Sequence, residues 1–150
     1  MNNENEMQKK TGRIVQVTGP VVDVRFDRDS LPRIKEELYT EKKGEQRTME
    51  VVQHLGGSTV RCVMLCPSEG LCRDMEVYST GAPISVPVGE PVLGRLLNVL
   101  GEPIDDGAEI PADCQRNSIY RPAPAYSERS SSEEILETGI KVIDLLAPYM

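Results

Sequence analysis

The chain has 150 residues, a formal net charge of −7 and 39% hydrophobic residues. That length predicts one ordinary domain, able to bury roughly 70% of its unfolded surface. The composition excludes a disordered chain and a membrane-embedded one, and the acidic balance argues against a basic nucleic-acid binder.

The N-terminus, Met1 to Glu6, is acidic and has no basic start followed by an apolar run. It reads as neither a secretory signal nor an Arg-rich transit peptide, so a cytoplasmic protein is expected. Residues 1–10 are expected to be a disordered tail. Two strands then follow, Gly12 to Val17 and Val21 to Phe26, separated by the turn residues Thr18-Gly19-Pro20. In the second, Val22, Val24 and Phe26 alternate with Asp23 and Arg25, which gives one apolar and one polar face. Glu36 to Gln46 is charged and contains Gly44, and it is expected to be an exposed hairpin end. Gly56-Gly57-Ser58 separates Met49–Leu55 from Thr59–Cys66 and predicts a hairpin. Val60, Cys62, Met64 and Cys66 share one face, while Val63 and Leu65 on the other predict burial from both sides. A run from Gly70 to Ser79 ends at Thr80-Gly81-Ala82-Pro83. Short strands with frequent turns fit a small barrel or sandwich over residues 11–82.

The pattern then changes. Ile84, Val86 and Val88 alternate once more, and Gly94 to Leu100 is a strand-like apolar run closed by Gly101-Glu102-Pro103. Residues 105–128 read as loop, which is long for the inside of a compact domain. Ser130 with Glu133 and Ser131 with Glu134 have capping-box spacing. Thr138 is expected to cap a short helix whose apolar stripe is Ile140, Ile143 and Leu146, widened by Val142 and Leu145 and stopped by Pro148.

The same residues offer little catalytic chemistry. Gly89 to Gly94 has the G-x-x-x-x-G spacing of a phosphate-cradling loop. However, Arg95 and Leu96 stand where that loop needs Lys and then Ser or Thr, and Pro91 lacks a backbone N–H. None of the twelve glycines precedes a lysine, so these residues hold no Walker A sequence. Asp105-Asp106-Gly107 reads as a turn, and His54 as a surface histidine at a strand end. Lys141 and Asp144 read as a surface pair, and Glu128, Glu133, Glu134 and Glu137 as a solvated helix edge or an early-turn charge set that favours the helix dipole. Cys62, Cys66, Cys72 and Cys114 form no C-x-x-C pair, and His54 is not spaced to join them as a ligand. Free, half-buried thiols in a reducing compartment are expected rather than a metal site. No catalytic, cofactor-binding or metal-binding residue is assigned.

Several strings resemble the β-subunit family of F-type ATP synthases. They include Thr11-Gly-Arg-Ile-Val-Gln-Val-Thr-Gly-Pro-Val-Val-Asp-Val-Arg-Phe26, Glu50-Val-Val-Gln-His-Leu-Gly56 and Val86-Pro-Val-Gly89. Leu93-Gly-Arg-Leu-Leu-Asn-Val-Leu-Gly-Glu-Pro-Ile-Asp105 and Glu137-Thr-Gly-Ile-Lys-Val-Ile-Asp-Leu-Leu-Ala-Pro-Tyr149 continue the likeness, which covers nearly everything from residue 11. The resemblance implies a mainly β chain. A closed N-terminal barrel of about six strands (residues 11–82) would precede the incomplete start of a P-loop α/β nucleotide-binding domain (residues 83–150). It implies a parent enzyme that makes ATP from ADP and phosphate with a transmembrane ion gradient, using Mg-ATP or Mg-ADP. Its partners would be an α subunit in an alternating hexamer and a central-stalk γ subunit, peripheral to the cytoplasmic face of a bacterial membrane. In that family the glycine-rich loop and the catalytic residues lie beyond the position of Met150. The 150 residues are therefore expected to be inactive alone, to bind no cofactor and to contribute the assembling barrel. A sibling rotary or export ATPase, a free-standing nucleic-acid-binding barrel and a stand-alone interaction module are the alternatives, and Asn98-Val-Leu-Gly-Glu-Pro103 and His54-Leu-Gly56 look like β rather than its siblings.

Overall fold

The protein is described by a computed structural model that covers residues 10–42, 44–128 and 135–149. Six antiparallel strands close into a barrel in the order β1-β2-β5-β4-β3-β6, and β6 pairs back onto β1. They are β1 (Thr11–Thr18), β2 (Val21–Phe26), β3 (Glu37–Lys42), β4 (Glu45–Gly56), β5 (Thr59–Met64) and β6 (Glu76–Ser79). The expected mainly β class and six-stranded barrel are therefore present.

Period-two patterning builds the interior, because successive side chains of a strand point to opposite faces. Ile14, Val22, Val24, Phe26, Leu38, Met49, Val51, Val60, Cys62 and Val77 fill the core, and Leu71 joins them from the segment between β5 and β6. Closure leaves no free sheet edge. The predicted hairpin between β4 and β5 forms through Gly57 and Ser58, whose φ values of +57° and +62° are both positive. That is the type I′ geometry whose twist matches the flanking strands. On the outer wall, Asp23 and Arg61 face each other across β2 and β5 and make two bonds of 2.9 and 3.0 Å. Val63 and Leu65 are half-buried, in line with packing on both faces.

Several expectations need correction. Glu36 to Gln46 is not simply an exposed hairpin end. It supplies β3 and the start of β4, with Glu36, Leu38 and Thr40 buried. The inward pair of Leu38 and Thr40 is interleaved with Glu37, Tyr39 and Glu41, so outward charges mask the inward face. In the run from Gly70 to Ser79, only the last four residues form a strand. Gly94 to Leu100 is not a strand either, since only Leu97 bridges Pro103. The Asn98 side chain diverts this segment by accepting from the N–H groups of Leu100 and Glu102, both at 2.9 Å, and holding a tight turn. The alternation at Ile84 to Val88 breaks down: Ile84 and Pro87 are buried, and Val86 and Val88 only half so. There β7 (Ser85–Pro87) pairs with β8 (Arg116–Ser118), a strand the loop-like sequence around it conceals.

The helix α1 (Lys141–Leu146) forms where the stripe predicts it. Beyond Pro87, the one buried residue among those described is Gly101. The core thus lies almost wholly in the barrel. The paired serines and glutamates at residues 130–134 fall outside the described residues.

Candidate functional site

The most organised surface lies where the barrel meets the segment that follows it. Leu31 to Glu36 crosses from β2 to β3 along the flank of β4. Glu36 turns inward, where its carboxylate accepts from the Arg33 N–H at 2.9 Å and from the Ser79 hydroxyl. Three further contacts stitch the crossing to β4. Lys35 N–H donates to the Val51 carbonyl at 2.7 Å, and Val51 N–H donates to the Glu36 carbonyl at 3.1 Å. The His54 ring nitrogen Nε2 lies 2.8 Å from the Pro32 carbonyl. Lys35 has φ of +72°, a left-handed geometry for a non-glycine residue. The outcome is that Arg33, Ile34 and Lys35 all project into solvent.

Tyr120 closes over this edge from the later segment. The Lys35 ammonium sits 4.1 Å from the centroid of its ring, a cation–π contact. The Tyr120 hydroxyl donates to Glu50 at 2.6 Å, and that bond to a carboxylate raises the tyrosine's pKa above its ordinary value. Nearby, Arg116 donates to the Ser85 carbonyl at 2.7 Å. Burial pushes the Glu37 carboxyl up, and the charge of Arg116 offsets part of that. These contacts position one segment against another. They contain no nucleophile–base pair.

The residues weighed as chemical candidates are placed apart from one another. Gly89 opens a 3₁₀ turn at Glu90–Val92 that runs on through Leu93 into Gly94, with no helix behind it. Arg95 is engaged: it grips Asp105 with two bonds of 2.7 and 2.8 Å and also donates to the Ala108 carbonyl at 2.8 Å. Asp105 further accepts from the N–H groups of Leu96 and Gly107, both at 3.2 Å. The guanidinium comes first among the causes that hold its carboxyl well below the usual range. The Asp-Asp-Gly turn is thus a clasp around Arg95. His54 is exposed and tied to Pro32, as a surface histidine.

The predicted pair of Lys141 and Asp144 is not formed. Asp144 instead reaches back to the free N–H groups ahead of α1, accepting from Thr138 and Gly139 at 3.0 Å each and from the Thr138 hydroxyl at 2.6 Å. The hydroxyl bond leads the effects that lower its pKa. Charged acceptors on unpaired backbone donors outcompete an exposed ion pair of small value. Thr138 is accordingly not the N-cap; Ile140 occupies that position without a side-chain cap.

The thiols differ more than expected. Cys62 is fully buried, Cys66 and Cys114 are half-buried, and Cys72 is exposed. Burial, with the nearby Asp23 charge, pushes the Cys62 thiol up to about 12. Among the described residues, no three His, Cys, Asp or Glu side chains cluster as metal ligands. An open cleft of about 530 Å³ runs beside Gly101, Glu102, Glu109 and Arg116. Sequence reasoning missed the Lys35–Tyr120–Glu50 contact. Its members stand 70 residues apart at the hydrogen bond, and no local pattern links them.

The barrel geometry agrees with a match to a known family model. Residues 14–81, which run from β1 to just past β6, match the family model described as ATP synthase alpha/beta family, beta-barrel domain.

Proposed function

We propose that these residues are the N-terminal part of the catalytic β subunit of an F-type ATP synthase, and that their own task is assembly. The closed six-stranded barrel carries this reading, because the matched family domain coincides with it. The strings at Asn98–Pro103 and His54–Gly56 favour β over its siblings. In that subunit the barrel holds an alternating hexamer with α subunits around a central stalk, on the cytoplasmic face of a bacterial membrane. The segment from residue 83 is the opening of the nucleotide-binding domain. Its exposed apolar side chains, with Leu145 and Leu146 each 81% exposed, suit a surface that packs against further structure.

Under this reading, phosphoryl transfer on Mg-ATP belongs to groups outside these 150 residues, which contain no Gly-Lys pair. What the chain supplies is a rigid barrel and a clasped connection out of it. Reading the open frame past Met150 tests the proposal. A glycine-rich loop ending in Gly-Lys-Thr within about ten residues is expected from the resemblance. A stop codon there overturns the catalytic-subunit reading in favour of a stand-alone module.

A further inference from the structure

The chain leaves the barrel beside a pair of facing carboxylates. Glu37 on β3 and Glu50 on β4 stand directly opposite each other in the antiparallel ladder. Residues so placed share a face, with Cβ atoms about 4.5–5.5 Å apart, and like charges there destabilise the pairing. Among the described residues, neither carboxylate belongs to a direct ion pair. Both residues are half-buried, so water screens the repulsion only in part. The exit itself is tied to the same place. The Glu37 N–H donates to the Ala82 carbonyl at 2.9 Å, and Ile84 just beyond it is buried.

What answers this pair comes from β8 and the turn after it. The Tyr120 hydroxyl donates to Glu50 at 2.6 Å, and its ring lies under the Lys35 ammonium. Arg116 serves the other carboxylate. Its charge offsets part of the burial cost of Glu37, and the two line one cavity of about 240 Å³ between barrel and later segment. Glu102 lines that cavity too, but its carboxylate accepts from the Asn98 amide at 2.6 Å. The facing carboxylates therefore meet two cations, Lys35 and Arg116, and one phenol. Arg116 is aimed by the Ser85 carbonyl, to which it donates at 2.7 Å. The Ile119 N–H donates to the Ile84 carbonyl at 3.1 Å and keeps this stretch beside the exit. Two attachments suppress the swivel that a single one would permit.

We propose that the facing carboxylates Glu37 and Glu50 form a two-point latch that holds the segment leaving the barrel in one docked orientation, with Arg116 and Tyr120 as the groups that close it. The two points act together. Release at either one leaves a carboxylate facing its like with its partner gone, so docked and free states exchange as a unit. The latch is internal to this chain and independent of the assembly reading.

The test uses the full 150-residue chain and reads docking from the Lys35 ε-methylene protons, which the Tyr120 ring shifts upfield while it lies beneath them. Arg116→Gln alters neither Lys35 nor Tyr120. It is nonetheless expected to reduce that upfield shift by roughly half or more, because the docked population falls. Adding Glu37→Gln removes the carboxylate left without its cation and is expected to restore the shift. An unchanged shift in Arg116→Gln overturns the latch, since the two points are then independent. A second substitution that restores nothing also overturns it, because Arg116 then acts only through its carbonyl partners. If Arg116→Gln fails to fold, seen as lost dispersion of the core valine methyls, Tyr120→Phe takes its place. That variant keeps the ring and removes only the hydroxyl, and the Arg116 Nε–H resonance is followed. Movement toward the position of a free arginine supports the latch, and a resonance that stays in place overturns it.

Discussion

Gly12 shows how one position constrains the barrel. A Cβ there would lie 2.8 Å from the Phe26 ring and 2.9 Å from the Arg25 carbonyl. Phe26 is the single phenylalanine and a core residue, so moving its ring disturbs the packing around it. Gly12→Ala is expected to cost about 1–3 kcal/mol by overpacking, read as a lowered thermal midpoint; an unchanged midpoint would refute the tight contact. The thiols give a second residue-scale outcome. The nucleophile in alkylation is the thiolate. Cys62, buried and pushed up to about 12, is expected to resist iodoacetamide at pH 8, while exposed Cys72 reacts first. Mass-spectrometric mapping after brief treatment checks this order, and early labelling of Cys62 would contradict it. The clearest local misreading was also of a residue. Asp144 sits three positions from Lys141, the spacing of a surface pair, but the unpaired N–H groups of Thr138 and Gly139 are better partners.

At the scale of elements, the turn around Leu96 to Gly107 is held by the clasp of Asp105 on Arg95. Folding lowers the pKa of Asp105, so the folded state binds this proton more weakly than the unfolded chain does. The clasp's contribution is therefore complete above the ordinary aspartate range, near pH 4, and is lost as pH falls below it. Amide shifts of Leu96 and Gly107 followed on acidification are expected to hold through pH 4 and move only below it. Asp105→Asn should abolish that titration, and movement centred near pH 4 would show the clasp to be absent in solution. Strands with clean alternation, such as β2, were legible because each is half-buried against one core. The strand β8 was not, because three residues carry too short a pattern and its partner β7 lies about 30 residues earlier. Gly94 to Leu100 failed in the opposite direction. Its apolar residues satisfy a strand template, yet no neighbouring strand exists to pair with them. Its backbone donors are spread over the local turn instead: Leu96 donates to Asp105, Asn98 to the Glu102 carbonyl and Leu100 to the Asn98 side chain.

Over the whole molecule, burial is divided unevenly. Among the described residues, Ile84 is the last of the buried hydrophobic ones apart from Pro87, and Ile140, Val142, Leu145 and Leu146 are all exposed by more than half. Local opening costs little where few apolar contacts must be broken. Hydrogen exchange of the isolated chain is therefore expected to protect the amides of β1 to β5 strongly and those of residues 105–128 and 135–149 weakly. Equal protection in both parts would show that the later segment has a core of its own. The opening expectation of a single domain accordingly describes the chain poorly. One compact barrel holds the core, and the remainder is tied to it chiefly by side-chain contacts such as Tyr120 on Glu50 and Lys35.

The sequence alone determined a strand-rich barrel or sandwich over residues 11–82, its hairpin at Gly57-Ser58 and the short final helix. Each follows from periodicity or turn chemistry contained within about a dozen residues. The likeness of its strings to a known family pointed the same way, and the match over residues 14–81 bears out the barrel domain. Only the tertiary structure decided how the strands close, which charges are neutralised and which surface remains. Closure pairs β1 with β6, more than 60 residues apart. The latch depends on Glu37 and Glu50 facing each other across β3 and β4 and on Tyr120 reaching them from 70 residues away. Side chains distant in the chain compete for the same backbone donors and carboxylates, and their proximity is a property of the folded chain rather than of any local pattern.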